Sequence, residues 1–240
     1  MQESKKYWFI VNVGSAPVYA KPSFNSACVT EAVHGESCII NSYKENWLEI
    51  KCEDGYEGWI NSFYGNKSSE KNNPSHLIIY PNEQGNFLNR FPFGSRINKK
   101  LPGSVPIDMK LGFEKIISVA ENLMGTPYKW GGKTSLGFDC SGLVQSVLKV
   151  CGIEVPRDSS QQWNYFHNNK IDIEASEPGD LHFFGINDNI THVGFSTGGR
   201  GLLHAQGYVK VESLDPNNGN FNQGLLDIYL SSHSIKRKFQ

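Results

Sequence analysis

The run Phe138-Asp139-Cys140-Ser141-Gly142-Leu143-Val144-Gln145-Ser146-Val147-Leu148-Lys149-Val150-Cys151-Gly152 carries its apolar residues at helical spacing. Counted from Cys140, the residues Leu143, Val144, Val147, Leu148 and Cys151 fall at intervals of 3, 4, 7, 8 and 11, one face of a helix that Gly152 ends. Cys140 is thus placed at a helix N-terminus. Unpaired backbone N–H groups and the positive end of the macrodipole there favour thiolate over thiol, the condition for a cysteine nucleophile. The competing reading of Cys140 is a small buried hydrophobe.

Around this helix the chain changes character twice. From Tyr7 to about Tyr64, short β-type runs such as Trp8-Phe9-Ile10-Val11, Cys38-Ile39-Ile40 and Trp47-Leu48-Glu49-Ile50 alternate with Gly, Pro, Asn and Asp. That spacing predicts a small barrel over residues 1–66. The polar stretch 66–75 reads as a linker, and 67–110 as either a connection or an abbreviated second β module, with His76-Leu77-Ile78-Ile79-Tyr80 and Phe91-Pro92-Phe93-Gly94-Ser95 strand-like. From 111 to 240 the order is helices first: Phe113 to Met124, the Cys140 helix and Ser159 to His167. Strands follow at Leu181–Phe184, His192–Ser196, Gly201–Ala205 and Val209–Leu214, an α+β arrangement.

Composition narrows the function classes. The 240 residues, 38% hydrophobic with a net charge of −1, suit one or two globular domains and leave no basic footprint for nucleic acid or an anionic membrane. The short tail Lys236-Arg237-Lys238 reads as a solvated terminus. The first residues hold too few apolar side chains for a signal peptide, which predicts a cytoplasmic protein, or an exported one if a leader was removed. No window has the length of a membrane span. Five cysteines, Cys28, Cys38, Cys52, Cys140 and Cys151, show no paired metal spacing, so reduced thiols and no structural zinc are expected.

A cysteine nucleophile needs a base and a group that orients the base. His192 and His204 sit on successive strands where an antiparallel pair can present both rings on one side; each alone is equally a polar side chain satisfied by backbone. A zinc site from His182, His192 and His204 is the alternative, and it leaves the Asp-Cys-Ser helix start without a purpose.

Taken in order, Tyr128-Lys129-Trp130-Gly131-Gly132, Phe138-Asp139-Cys140-Ser141-Gly142, Pro178-Gly179-Asp180-Leu181, His192-Val193-Gly194 and His204-Ala205 resemble the signature of the NlpC-type cysteine peptidases. These are bacterial enzymes with a papain-like α+β core that cut peptidoglycan stem peptides. The barrel in front is similar to the bacterial SH3-like domains that accompany them, and the pairing resembles most the γ-D-glutamyl-L-diamino acid endopeptidases of cell-wall recycling. That resemblance implies a cofactor-free enzyme acting on murein peptides with a free N-terminal L-Ala. It implies Cys140 as nucleophile, His192 as base, His204 as orienter and Tyr128 at the oxyanion.

For recognition it implies Asp139 and Ser141 beside the nucleophile, Asp158 and Ser159 in Pro156-Arg157-Asp158-Ser159, and Trp130. A carboxylate such as Asp158 suits a free ammonium, and hydroxyls such as Ser141 and Ser159 suit the D-Glu carboxylate. Ser159 equally suits a helix N-cap. From the barrel, Glu31 and Tyr64 are expected to read the substrate N-terminus, with Glu36 and Tyr56 as alternates; Tyr56, Trp59 and Tyr64 also suit a barrel core. Export as a wall hydrolase with the SH3-like region as a wall-binding module is the competing function.

Overall fold

Seven short strands with alternating inward residues build the N-terminal region: β1 (Trp8–Val11), β2 (Ser15–Tyr19), β3 (Cys28–Val33), β4 (Ser37–Lys44), β5 (Trp47–Lys51), β6 (Glu57–Asn61) and β7 (Gly65–Ser68). The computed structural model describes residues 6–81, 90–187 and 189–239. The seven strands hydrogen-bond in the order β3-β2-β6-β5-β4-β1-β7. Phe9, Val11, Ala16, Val18, Ala32, Cys38, Leu48, Ile50, Cys52 and Ile60 form the core they enclose. Because the side-chain period of a strand is two, β1 and β2 alternate between this core and a part-exposed face, while β7 has no fully buried residue.

A second small sheet, in the order β10-β8-β9, consists of β8 (His76–Ile78), β9 (Arg96–Ile97) and β10 (Ser104–Pro106). It belongs to the same compact unit as the barrel, which comprises Met1–Met109 and Trp130–Leu136. The units divide between Met109 and Lys110, within one residue of the boundary expected at 110, whereas no division falls at the boundary expected at 66. β7 continues to Ser68 along β1, and Asn72 donates through its backbone N–H to Ser37 Oγ and through Nδ2 to the Gly35 carbonyl. A hydrogen-bonded edge with solvent-facing polar side chains has a linker's composition, so composition misplaced the boundary. Phe91 to Ser95 form turns instead of a strand, with Gly94 at φ +85°.

The unit is tied by buried charge. Glu36 accepts the Val33 and Glu53 backbone N–H groups, both at 3.0 Å, and Arg96 pairs with Glu53 at 2.7 Å and lies 3.9 Å from Glu36. Segment 130–136, which includes the two-residue strand β11 (Lys133–Thr134), is held the same way. The Lys133 N–H donates to Glu31 Oε2 at 3.0 Å and its ammonium meets Asp54 at 2.7 Å. At the β3–β4 turn Gly35 has φ +77°, and a Cβ there would lie 2.1 Å from the Arg96 carbonyl oxygen, so only glycine fits.

The second unit comprises Lys110–Lys129 and Gly137–Gln240. It contains α1 (Ile116–Glu121), β12 (Gly137–Phe138), α2 (Cys140–Val150), α3 (Ser159–Phe166), β13 (Lys170–Ile171), β14 (Leu181–Ile186), β15 (Asn189–Gly198), β16 (Gly201–Gln206), β17 (Tyr208–Ser213), α4 (Gln223–Asp227), β18 (Tyr229–His233) and α5 (Lys236–Phe239). The sheet runs β13-β18-β14-β15-β16-β17. α2 packs on β15 and β16, burying Leu143, Val144, Val147 and Leu148 completely. The helix expected over Phe113 to Met124 is shorter: a 3-10 turn precedes α1, and Met124, half exposed, lies in the turn after it. No helix among the described residues is long and apolar enough to cross a membrane.

The Glu36 arrangement generates a stability prediction. Glu36→Ala removes the acceptor of two backbone N–H groups and one partner of the buried Arg96, and should cost about 3 kcal/mol of unfolding free energy. Chemical denaturation measures it, and a cost below about 1 kcal/mol contradicts the arrangement.

Candidate active site

The α2 start is fixed by one carboxylate. Asp139, the N-cap, has extended backbone and its Oδ1 accepts the Gly142 N–H at 2.6 Å. The same side chain receives Arg157 through two nitrogens, Nη1 to Oδ1 at 3.0 Å and Nη2 to Oδ2 at 2.6 Å. Arg157 Nη1 also donates to Ser141 Oγ at 2.9 Å, and Ser141 Oγ donates to Asp139 Oδ1 at 3.3 Å. Gln162 on α3 donates to the carbonyls of Ser141 and Pro156. A charge-assisted fork of this kind fixes geometry as well as energy, so the residues flanking Cys140 are held against the start of α3.

Cys140 is 7% exposed, and backbone N–H groups of Ser141 and Val193 point at its sulfur. Burial and the Asp139 charge outweigh those N–H groups and Arg157, and push the thiol up to about 11. The thiolate expected from the helix terminus alone is therefore not the resting form, because desolvation opposes the charged state more strongly than the terminus favours it.

Val193 follows His192 on β15, so the sulfur lies against the strand at the residue next to this histidine. His192 Nε2 and His204 Nδ1 are 2.7 Å apart, and His204 Nε2 lies 2.8 Å from Glu212 Oε2. A carboxylate accepts, so His204 carries its proton on Nε2, accepts at Nδ1 from His192 Nε2–H, and leaves His192 Nδ1 as the nitrogen able to take a proton. Burial, His204 and Lys210 lower His192 to about 3 against the opposing Glu212 charge, and burial lowers His204 to about 4. Thiol and imidazole both rest neutral at pH 7. Proton transfer between them then accompanies the attack on a substrate.

Tyr128 is half-buried, with its N–H on the Gly207 carbonyl and a bridge to Phe138, which brings it to the same helix start. Burial, Cys140 and Asp139 push its hydroxyl up to about 12, so it remains a donor. Asp158 occupies the N-cap position of α3 with no side-chain cap hydrogen bond, and Ser159 is the first helical residue, not the cap.

Three of the residues read from sequence lie in the first unit. Trp130 is 71% exposed. Glu31 is fully buried with Oε2 on the Lys133 N–H, and Tyr64 packs against the barrel core, as does Tyr56. Glu36 is engaged in the β3–β4 turn.

Sequence reading missed Arg157 and Glu212. Arg157 stands inside a quoted motif but has no signature of its own. Glu212 was accessible from the hairpin: Gly207 at φ +72° turns β16 into β17 with His204 opposite Lys210, which puts Lys210 and Glu212 on the face of His204. The zinc alternative fails on His182, whose nitrogens meet Ser232 Oγ at 2.7 Å and the Gly199 carbonyl at 3.0 Å. Among the described residues, a group spaced closely enough to hold a metal ion is Glu36, Cys38 and Cys52 in the barrel core. Both Glu36 oxygens there already accept backbone N–H groups.

Residues 125–229 match the NlpC/P60 family and residues 18–62 the bacterial dipeptidyl-peptidase Sh3 domain. The chain is 27% identical over 214 residues to the γ-D-glutamyl-L-lysine dipeptidyl-peptidase of Bacillus subtilis, covering 73% of this chain and 71% of that protein. It is 38% identical over 91 residues to the probable endopeptidase p60 of Listeria monocytogenes, covering 38% of this chain and 18% of p60. The crystal structure of an NlpC/P60 family protein from Bacillus cereus superposes with a TM-score of 0.75 at 18% identity, over 95% of this chain and 99% of that one, a likeness of fold.

The depressed histidines predict the acid response of the fold. His182 and His204 are lowered to about 4 and His192 to about 3, all chiefly by burial, against 6.5 for the free group. As pH falls below 6.5 the unfolded chain takes up protons that the folded one refuses, so stability present at neutral pH is lost progressively towards pH 4 and below. Melting temperature should fall steadily from pH 7 to pH 4.5, and a flat profile contradicts the buried neutral assignments.

Proposed function

Because the chain joins an NlpC/P60 domain to a bacterial dipeptidyl-peptidase SH3 domain, we propose that it is a cysteine endopeptidase hydrolysing the bond between γ-D-Glu and the following diamino acid in murein peptides. The observation that carries this reading is the Cys140 sulfur at the N-terminus of α2, approached by the Val193 N–H on β15, the strand that carries a His192 whose Nε2 is already committed to His204. The name of the B. subtilis relative supports the bond cleaved, since the two proteins align over 73% of this chain and 71% of that one.

In this mechanism the Cys140 thiol gives its proton to His192 Nδ1 as the sulfur attacks the γ-carbonyl carbon of D-Glu. The oxyanion that forms accepts from the Tyr128 hydroxyl and the backbone N–H at the start of α2. Collapse breaks the C–N bond, and the leaving amine takes the proton from His192. A water, deprotonated by the same ring, then hydrolyses the thioester and releases the dipeptide with the thiol restored. Asp158 suits the free L-Ala ammonium, and Ser141 and Ser159 the D-Glu α-carboxylate. Asp158 as a partner for a free N-terminal ammonium supports the reading that the enzyme recycles released stem peptides.

The second reading, the alternative that the sequence leaves standing, is a hydrolase of intact wall. Incubation with L-Ala-γ-D-Glu-L-Lys, its meso-diaminopimelate counterpart and N-acetylated forms of each separates the two by mass spectrometry. Release of L-Ala-D-Glu from the free peptides alone is expected. Cleavage of N-acetylated peptides or sacculi at the same rate supports the second reading, and no product from any sinks both.

Two variants test the roles. Cys140→Ala should abolish turnover while melting stays near that of the parent chain, and Tyr128→Phe should lower kcat about a hundredfold with little change in KM. A raised KM with kcat unchanged for Tyr128→Phe would instead assign the tyrosine to ground-state binding. With His192 lowered to about 3, kcat/KM should hold nearly level from pH 5 to pH 8. A fall centred near 6.5 contradicts the neutral resting pair.

A further inference from the structure

The geometry points to Glu212 as a positioning residue that completes a four-membered relay, its carboxylate setting the tautomer of His204 and, through it, the tautomer and basicity of His192. The inference rests on the peptidase reading above and adds to it a residue on a fourth structural element.

The relay crosses three neighbouring strands and a helix start. Cys140 opens α2, His192 lies on β15, His204 on β16 and Glu212 on β17, three consecutive strands of the sheet, with Glu212 two residues along β17 from Lys210, the register partner of His204. His204 is completely buried, and both its nitrogens are spent in line, Nδ1 on His192 and Nε2 on Glu212. An imidazole in that position without an acceptor at Nε2 is free to hold its proton on Nδ1. It would then present an N–H to His192 Nε2 and force the His192 proton onto Nδ1, the nitrogen that must receive the thiol proton. A single tautomer flip thus disarms the base without moving an atom of the backbone. Only an obligate acceptor at the far end prevents it, and a carboxylate is one.

Glu212 is itself positioned. Its Oε1 lies 3.1 Å from Lys210 Nζ, and Asn222 Nδ2 donates to Oε2 at 3.1 Å. Asn222 is in turn fixed as the N-cap of α4, accepting the Leu225 N–H at 3.0 Å. Burial alone would raise the Glu212 carboxyl, but the hydrogen bonds from Lys210, Asn222 and His204 hold it below the usual carboxylate range, so it is ionised whenever the enzyme is folded at working pH. The charges acting along the relay are Glu212 from β17, which makes His192 more basic, and Lys210 from the same strand together with the neighbouring ring of His204, which make it less so. From α2 the facing group is the Cys140 thiol, flanked by Asp139 and Arg157. When His192 takes the thiol proton, the new positive charge lies two hydrogen bonds from the Glu212 carboxylate.

The test uses the full chain and three variants. Glu212→Gln keeps an acceptor of the same shape and removes the charge, Glu212→Ala removes both, and Lys210→Met removes the opposing charge. For Glu212→Gln, kcat at pH 7 should fall about ten- to a hundredfold with KM unchanged, and the acid limb of kcat/KM should move to lower pH. Glu212→Ala should fall further, whereas Lys210→Met should move the acid limb to higher pH. Isotope-edited NMR of the histidine rings gives a readout independent of substrate. His192 and His204 should both be Nε2-protonated in the parent chain and a mixture of tautomers in Glu212→Ala.

Parent-like rates and limbs in both Glu212 variants overturn the proposal. So does a loss of activity that tracks a lowered melting temperature, with tautomers and acid limb unmoved, because that is what a purely structural side chain gives. If the parent chain cleaves no murein peptide while the tautomers respond as stated, the peptidase reading fails and the relay stands.

Discussion

One buried carboxylate, Asp139, does three jobs at the point where the chemistry begins. It caps α2, receives the Arg157 fork, and through Arg157 and Ser141 ties α2 to the start of α3. Removing it would strand a guanidinium 3% exposed and leave helix N–H groups without an acceptor. The proposed nucleophile, Cys140, is the next residue, so its direction is set by a network whose members are all buried. The cost of that placement is electrostatic: the same carboxylate raises the Cys140 thiol, and the base must compensate.

The compensation comes from the strands on which α2 packs. Three successive antiparallel strands deliver His192, His204 and Glu212 in line, and burial keeps the imidazoles neutral until a substrate arrives. A neutral resting pair reconciles a buried cysteine with nucleophilic chemistry, because charge appears only as the sulfur bonds to carbon. The helix terminus and the Val193 N–H then act on a developing anion instead of a standing one.

Much of this was legible in the residues. The helical spacing after Cys140 gave α2 within a residue, and alternating apolar residues gave strands within one to three residues of β14 to β17. The two histidines were found because each stands on a strand in a recognisable run, His192-Val193-Gly194 and His204-Ala205. What composition hid has physical causes. A polar strand edge at 65–68 reads as linker because side chains, not backbone hydrogen bonds, fill a sequence. Segment Trp130–Leu136 joins the barrel unit through a buried Glu31 and Lys133, a partnership between residues 102 positions apart that no local pattern announces. Arg157 and Glu212 are ordinary surface residue types until the fold buries their partners, and the thiol's raised affinity for its proton depends on desolvation, which has no sequence signature.

The central claim is that Cys140, alone of the five thiols, attacks the γ-carbonyl of a D-Glu whose own amine carries L-Ala. An L-Ala-D-Glu dipeptide bearing a γ-chloromethyl ketone in place of the scissile amide presents an alkylating carbon at that position. Digestion and mass spectrometry of the treated protein should find one adduct, on the peptide containing Cys140, suppressed by excess L-Ala-γ-D-Glu-L-Lys. Labelling spread over Cys28, Cys38, Cys52 and Cys151, or labelling of Cys140 that the tripeptide leaves unchanged, would contradict the account.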